Sequence, residues 1–291
     1  MTTSALAGLS AESLIDDIRR MTTASSNDER HDVLTAVLRE VGVRFAGESF
    51  SAGGGGGRDS RNTGRNVSVT VGDGPEEIVL GAHYDAAYLA DGTLGPGALD
   101  NAASCMALAR VAAIVSGDRA PRRMRIVWFD MEEVGEKGSR QFVLSHGKDH
   151  IRAMLNFDVN GYGETILFRV VEQATNPWLR RVLVRTCASE SMDCVRCDYL
   201  PPSDDRAFGE AGIPTLSIAS LPREEARQLV LHLRRRARTP SRIAEGPSPA
   251  ILRIMHTSLD VAENIDGPSL LRSVRLIAAL ARACAFAPSS L

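Results

Sequence analysis

From Asn66 onward the chain alternates short apolar, β-branched runs with longer helical stretches, and this alternation limits its possible folds more than any other feature. NVSVTVG, EIVLGAHYDA with its buried run Ile78 to Leu80, RMRIVWFDM, AMLNFDVNG, TILFRVV and TLSIAS read as strands. Between and after them, Asn101 to Val115, SRQFVLSHG, WLRRVLVRTCASE and GPSLLRSVRLIAALARACAF read as helices. Strands that alternate with helices predict a largely parallel sheet covered on both faces. In such sheets ligands bind beyond the carboxyl ends of the strands.

Upstream, AESLIDDIRRM and ERHDVLTAVLREVG carry apolar residues at spacings of three and four and predict two helices, the second capped by Ser26 or Asn27. The glycine run Gly53 to Gly57 is not a phosphate loop, because the GK followed by Ser or Thr is missing. It predicts a flexible surface turn between strands. The segment 221–255 joins a helix, an arginine cluster from Arg234 to Arg238 and a Pro/Ser-rich stretch, and predicts a lid or docking insertion. With no internal repeat, 291 residues fit a single α/β catalytic domain over residues 1–291.

Composition excludes several classes. Hydrophobic residues at 44% and charged residues at 24% leave no case for a disordered, collagenous or coiled-coil chain. A net charge of -2 and a pI near 6.3 predict no nucleic-acid partner. No apolar run approaches the roughly 20 residues needed to span a bilayer, so no membrane partner is expected. The first residues lack a charged n-region and a sustained apolar stretch, which predicts a cytoplasmic location. Five cysteines are an odd number and too few for a disulfide scaffold. The lone CxxC of Cys194 and Cys197 reads as reduced thiols, with a local disulfide open in an oxidising compartment. Oligomeric state leaves no signature.

The polar residues at the predicted strand ends carry the chemistry. Divalent metals of the zinc type take imidazole and carboxylate ligands, and a paired site needs one carboxylate that bridges both ions. His83 follows the strand IVLGA, and Asp85 is placed to accept the hydrogen bond of its second ring nitrogen. Asp100 lies between a glycine-rich loop and a helix, where it can bridge. Glu132 and Glu133 end the strand RIVWFDM; one can ligate while the other faces bound water as a general base. Asp158 ends another strand, and His256 follows the arginine-rich segment.

RNVSVTVGDG, IVLGAHYDA, PGALDNAAS, FDMEEVGEKGSR, LNFDVNG, SDDRAFGEAGIP and HTSLDVAENID, in this order, resemble the zinc exopeptidases of clan MH. That group includes bacterial leucyl-type aminopeptidases and, as divergent members, glutaminyl cyclases. The resemblance implies a three-layer α/β sandwich with a central mixed, mainly parallel sheet. It implies two divalent metal ions, zinc by preference: Asp100 bridges, His83 and Asp158 complete one site, and Glu133 and His256 complete the other. Glu132 becomes the general base, Asp85 the partner of His83, and the Asp100–Asn101 peptide is expected to be cis. The implied activity is removal of an N-terminal residue from a peptide or aminoacyl substrate. The competing readings are a single-zinc glutaminyl-cyclase-like acyltransferase and a non-catalytic binding relative.

Departures from the family pattern carry expectations of their own. Ser203, Asp204 and Asp205 stand where the family often has Ser-Asp-His, so a substrate-side histidine is missing and a charge is added. The stretch from Pro214 to His256 is long for the family and is expected to shape access or dock an acidic partner.

Overall fold

The computed structural model describes residues 9–53, 59–238 and 248–287. Two N-terminal helices, α1 (Ala11–Thr22) and α2 (Asn27–Glu40), begin where serines cap them. Ser10 accepts the Ser13 N–H and Ser26 accepts the Glu29 N–H, each satisfying an otherwise unpaired helical donor. Then follow β1 (Ala46–Ser51), β2 (Thr63–Val71), β3 (Glu77–His83), α3 (Ala103–Val115), β4 (Arg123–Phe129), α4 (Lys137–His146), β5 (Ile151–Phe157) and β6 (Thr165–Val171). The chain continues through α5 (Trp178–Ser189), β7 (Cys194–Arg196), α6 (Asp205–Glu210), β8 (Thr215–Leu221), α7 (Arg223–Arg238), α8 (Ile251–Ile254) and α9 (Gly267–Phe286).

These strands form one sheet in the order β1-β2-β4-β3-β5-β8-β6-β7. Strands β4, β3, β5 and β8 run parallel to one another, while β1–β2, β2–β4 and β6–β8 pair antiparallel. The sheet is therefore mixed with a parallel centre. Successive side chains of a strand point to opposite faces, and the core divides accordingly. Ile78, Leu80, Ile126 and Leu155 pack with α1, α3, α5 and α9, whereas Val79, Val127 and Met154 pack with Phe142 of α4 and Phe208 of α6. Helices thus cover both faces, which gives the three-layer α/β sandwich.

β3 is buried at every position. Its Gly81 has no room for a side chain, since a Cβ there would stand 2.5 Å from the Phe129 ring and 2.8 Å from the Met154 methyl. The apolar stretch Ala98–Val115 is long enough to cross a membrane, but 89% of it is buried within the fold, where it serves as a core helix. That helix starts later than its composition implies. Asp100 and Asn101 have non-helical backbone angles in a π-type turn at Ala98–Ala102, and α3 begins at Ala103. The edge strand β1 is largely exposed and β7 is only three residues long, so they lack the apolar alternation that marks the other strands. The glycine run lies between β1 and β2 as expected, but residues 54–58 fall outside the described part of the chain. All five cysteines are free thiols.

Candidate metal centre

The parallel centre of the sheet delivers its strand ends to one place. His83 is the last residue of β3, Asp158 follows β5, and Glu132 and Glu133 lie just beyond β4. After β4 the chain turns through Met131 at a positive φ of 59°. Asp130, fully buried, holds that turn by accepting the Arg65 and Met131 amides. Asp100 arrives from the β3–α3 connection through a cis Asp100–Asn101 peptide. Asn101 anchors it by donating to the Phe157 carbonyl at the end of β5. His256 follows α8.

Asp100 is the centre of the cluster. Its Oδ1 stands 3.1 Å from His83 Nε2, which is 3.8 Å from Asp158 Oδ1. Its Oδ2 stands 3.0 Å from His256 Nε2, which is 3.2 Å from Glu133 Oε2. The expected ligand set is brought together, and its two halves fall on opposite oxygens of the expected bridge. Ligand atoms of His83, Asp100 and Glu133 all lie within 4.8 Å of one another. Glu133 Oε1 and Asp158 Oδ1 are buried without a hydrogen-bond partner. Such orphaned oxygens are costly unless something positive joins them, so these residues fit a divalent-cation site.

The titration behaviour agrees. Burial would lower the His83 imidazole, but Asp100, Asp158 and Asp85 push it well above its ordinary value. Asp100 and Glu133 raise His256 to about 11. Burial would raise Asp100, yet its two imidazole partners hold it below the usual carboxylate range.

The role of Asp85 is wider than the expected one. His83 Nδ1 is closest to the Asp85 carbonyl, at 3.1 Å, with the carboxylate at 3.5 Å. Besides facing His83, the carboxylate accepts the amides of Glu132 and Glu133, each at 3.1 Å, and so fixes where both glutamates leave the backbone. Asp205 also differs: it is buried and ion-paired to Arg169 at 2.5 Å, and it accepts the Ser203 amide. Its charge is spent inside the fold and adds nothing to the substrate side.

Several residues of the site carried no sign in the sequence pattern. Asp260 accepts the amides of Leu99 and Asp100 and thereby positions the bridging residue. It sits four residues after His256 in HTSLD, a proximity that could have marked it. Arg61 binds Asp130, and Asn27 and Arg30 reach the loops from α2; these contacts cross long stretches of sequence and had no local signal.

Beside the cluster opens a cavity of about 220 Å³, lined on its polar side by Asp100, Glu132, Asp158 and His256 and on its apolar side by Leu200, Leu221, Leu229, Leu233, Leu252 and Met255. The 221–255 segment therefore supplies much of its wall, through α7 and α8. Arg234, Arg235, Arg236 and Arg238 lie on the exposed side of α7, and residues 239–247 fall outside the described part. A second cavity of about 430 Å³, by Glu76, Ile151 and Trp178, lies at the starts of β3 and β5, away from the cluster.

Residues 66–281 match the model of peptidase family M28. A probable leucine aminopeptidase of Arthroderma benhamiae is 29% identical over 161 residues, 51% of this chain and 44% of that protein. One of Trichophyton verrucosum is 28% identical over 160 residues, with the same coverage of 51% and 44%. The chain spans a little under half the length of these relatives. Among solved structures, the LapA aminopeptidase of Legionella pneumophila superposes with a TM-score of 0.69 at 16% identity, covering 98% of this chain and 74% of that one. The glutaminyl cyclase of Fimbriiglobus ruber gives 0.69 at 14% identity, covering 95% and 96%. At these identities the structures share the fold. The family match begins within β2, spans every strand from β3 to β8 and takes in the whole carboxylate and histidine cluster, and this chain belongs to peptidase family M28.

Proposed function

We propose that this chain is a metal-dependent aminopeptidase, which hydrolyses the bond after a free N-terminal residue with two divalent cations held by His83, Asp100, Glu133, Asp158 and His256. The observation that carries this reading is the division of Asp100, one oxygen toward His83 and the other toward His256. Two ions in one site call for a carboxylate that serves both. Imidazole and carboxylate donors favour zinc, and they also accept cobalt or manganese.

Bound cations of this kind polarise the scissile carbonyl and acidify water. Glu132 takes the proton from the attacking water and returns it to the departing amine. Burial pushes its carboxyl well above the ordinary range; His83 opposes this, while Asp204, Glu133 and Asp158 add to it. A raised proton affinity suits a group that must both accept and deliver a proton, and cations beside it pull that affinity back toward neutrality. Asp85 keeps Glu132 and Glu133 in their separate roles through their amides.

The cavity supports the substrate assignment. Its carboxylates Glu132 and Asp158 suit a protonated α-amine, and its leucine-rich wall suits an apolar first side chain. The arginines on the outer face of α7 favour an acidic peptide or partner at the rim; unchanged turnover of acidic peptides after charge reversal there argues against this.

Metal content measured beside a substrate panel tests the reading. Two equivalents of zinc, and cleavage of leucine amide but not of its N-acetyl form, are expected. Hydrolysis of N-blocked substrates alone, or full activity after exhaustive chelation, refutes it. The near-complete mutual coverage with a glutaminyl cyclase keeps one second reading in the panel. One equivalent of zinc, with ammonia released from N-terminal glutaminyl peptides, would replace hydrolysis by cyclisation.

A further inference from the structure

Arg30 lies on α2, upstream of the residues that match the family, and its side chain is fully buried. Its guanidinium donates from Nε to the Tyr84 carbonyl at 2.6 Å, from Nη1 to the Pro96 carbonyl at 2.7 Å and from Nη2 to the Gly97 carbonyl at 3.2 Å. Each of these bonds goes to a backbone carbonyl, and among the described residues no carboxylate contacts the guanidinium directly; Asp85, Asp260 and Asp100 act on it from further away. Taking a charge out of water costs several kcal/mol per ion, and burial lowers the pKa of this guanidinium despite those carboxylates. Nothing in the packing of α2 against α1 or α3 requires a cation, since Leu34, Val37 and Leu38 of the same helix meet the apolar core.

The position of the three carbonyls gives the arginine its role. Tyr84 stands between His83 and Asp85, and Pro96 and Gly97 end the loop that delivers Asp100. One turn earlier on α2, Asn27 binds both backbone groups of Ala86, donating to its carbonyl at 3.2 Å and accepting its amide at 2.9 Å. The helix thus grips the chain leaving β3 and the loop approaching Asp100 at the same time. Gly97 fits this contact closely: its φ is +56°, and a Cβ there would stand 2.6 Å from the Asp100 carbonyl and 3.4 Å from Arg30 Nη2.

We infer that Arg30 is a positioning residue for the metal centre, tying together the two loops that carry His83 and Asp100. The inference rests on the reading of that cluster as a metal site. Groups that orient ligands from behind change metal affinity about 10–100-fold when removed. Arg30 acts on the ligands through their backbone, and it touches neither substrate nor the reacting atoms.

The test compares zinc affinity, read by competition with a chromogenic chelator, in the wild type and in Arg30→Met, Arg30→Lys and Leu38→Ala. Leu38 is buried on the same helix about two turns further along, so its truncation lowers stability without loosening either loop. Circular dichroism confirms that each protein is folded under the assay conditions. Both Arg30 variants are expected to bind zinc roughly 10–100-fold more weakly, and Leu38→Ala to melt earlier with wild-type affinity. A folded Arg30 variant within twofold of the wild type, or an equal loss in Leu38→Ala, overturns the inference. If Arg30→Met does not fold, Arg30→Lys decides, because it keeps the charge and loses the three-way grip. A wild type that binds no zinc sinks the metal-centre reading itself, and this inference with it.

Discussion

Arg61 holds Asp130 through two parallel hydrogen bonds, Nη1 to Oδ2 at 3.1 Å and Nη2 to Oδ1 at 2.9 Å. The same guanidinium binds Asp59 through Nε and Nη2. Bidentate pairs of this kind combine strength with fixed geometry. Here the geometry is passed on, because Asp130 anchors the turn that leads to Glu132 and Glu133.

Removing this arginine leaves two buried carboxylates, Asp59 and Asp130, without their cation. Breaking a buried pair costs about 3–5 kcal/mol. Arg61→Met should therefore lower Tm by on the order of 10 °C, and adding Asp130→Asn should recover part of the loss. Thermal denaturation of the single and double variants checks this; a drop within the scatter of surface substitutions would contradict it.

Asp204 should make the metal-free protein sensitive to pH. It is fully buried. Burial, opposed by His83 and by a hydrogen bond with Ser139 and aided by Asp85 and Asp158, pushes its carboxyl up to about 8. An unfolded aspartate ionises near 3.9. Between these values the folded state holds a proton that the unfolded state has lost, so stability is fully present below about pH 4 and declines as pH rises toward about 8. Asp204→Asn should flatten that decline in the chelated protein. Equal slopes for wild type and variant, in denaturant titrations at about pH 6 and about pH 8, would show that Asp204 is not the source.

Glu132→Gln keeps the shape of the site and removes the proton carrier. Turnover should fall about 10²–10⁴-fold with zinc stoichiometry unchanged, whereas Glu133→Gln should lower zinc content. Metal analysis alongside steady-state kinetics separates the two; equal metal loss in both would undo the division of roles.

Leu229 lines the apolar side of the cavity. Leu229→Phe should narrow it and reduce kcat/KM for leucyl substrates by roughly 10–200-fold, the range for a small steric change in an apolar pocket. Alanyl substrates should lose less. An equal loss for both would place the first side chain elsewhere.

The central strands were legible because burial on two faces demands continuous apolar runs, and β3, with IVLGAH, shows this at every position. The ligand candidates were legible because polar residues directly after such runs need a reason to be there. The edge strands left no pattern, since β1 is largely exposed and β7 is too short for an alternation to register. Asp205 illustrates a different limit. Its charge is visible in the sequence, but the Arg169 that neutralises it lies 36 residues earlier on β6.

By itself the sequence determined the alternation of strands and helices and the identity of the residues at the strand ends, because hydrophobic periodicity and ligand chemistry are local properties. Only the tertiary structure decided that Asp100 turns one oxygen to His83 and the other to His256, that Asp85 orients two glutamates as well as facing His83, and that Arg30 holds two loops together. Each of those is a contact between segments far apart in the chain. Such contacts are set by how the layers pack, and no spacing along a single strand or helix records them.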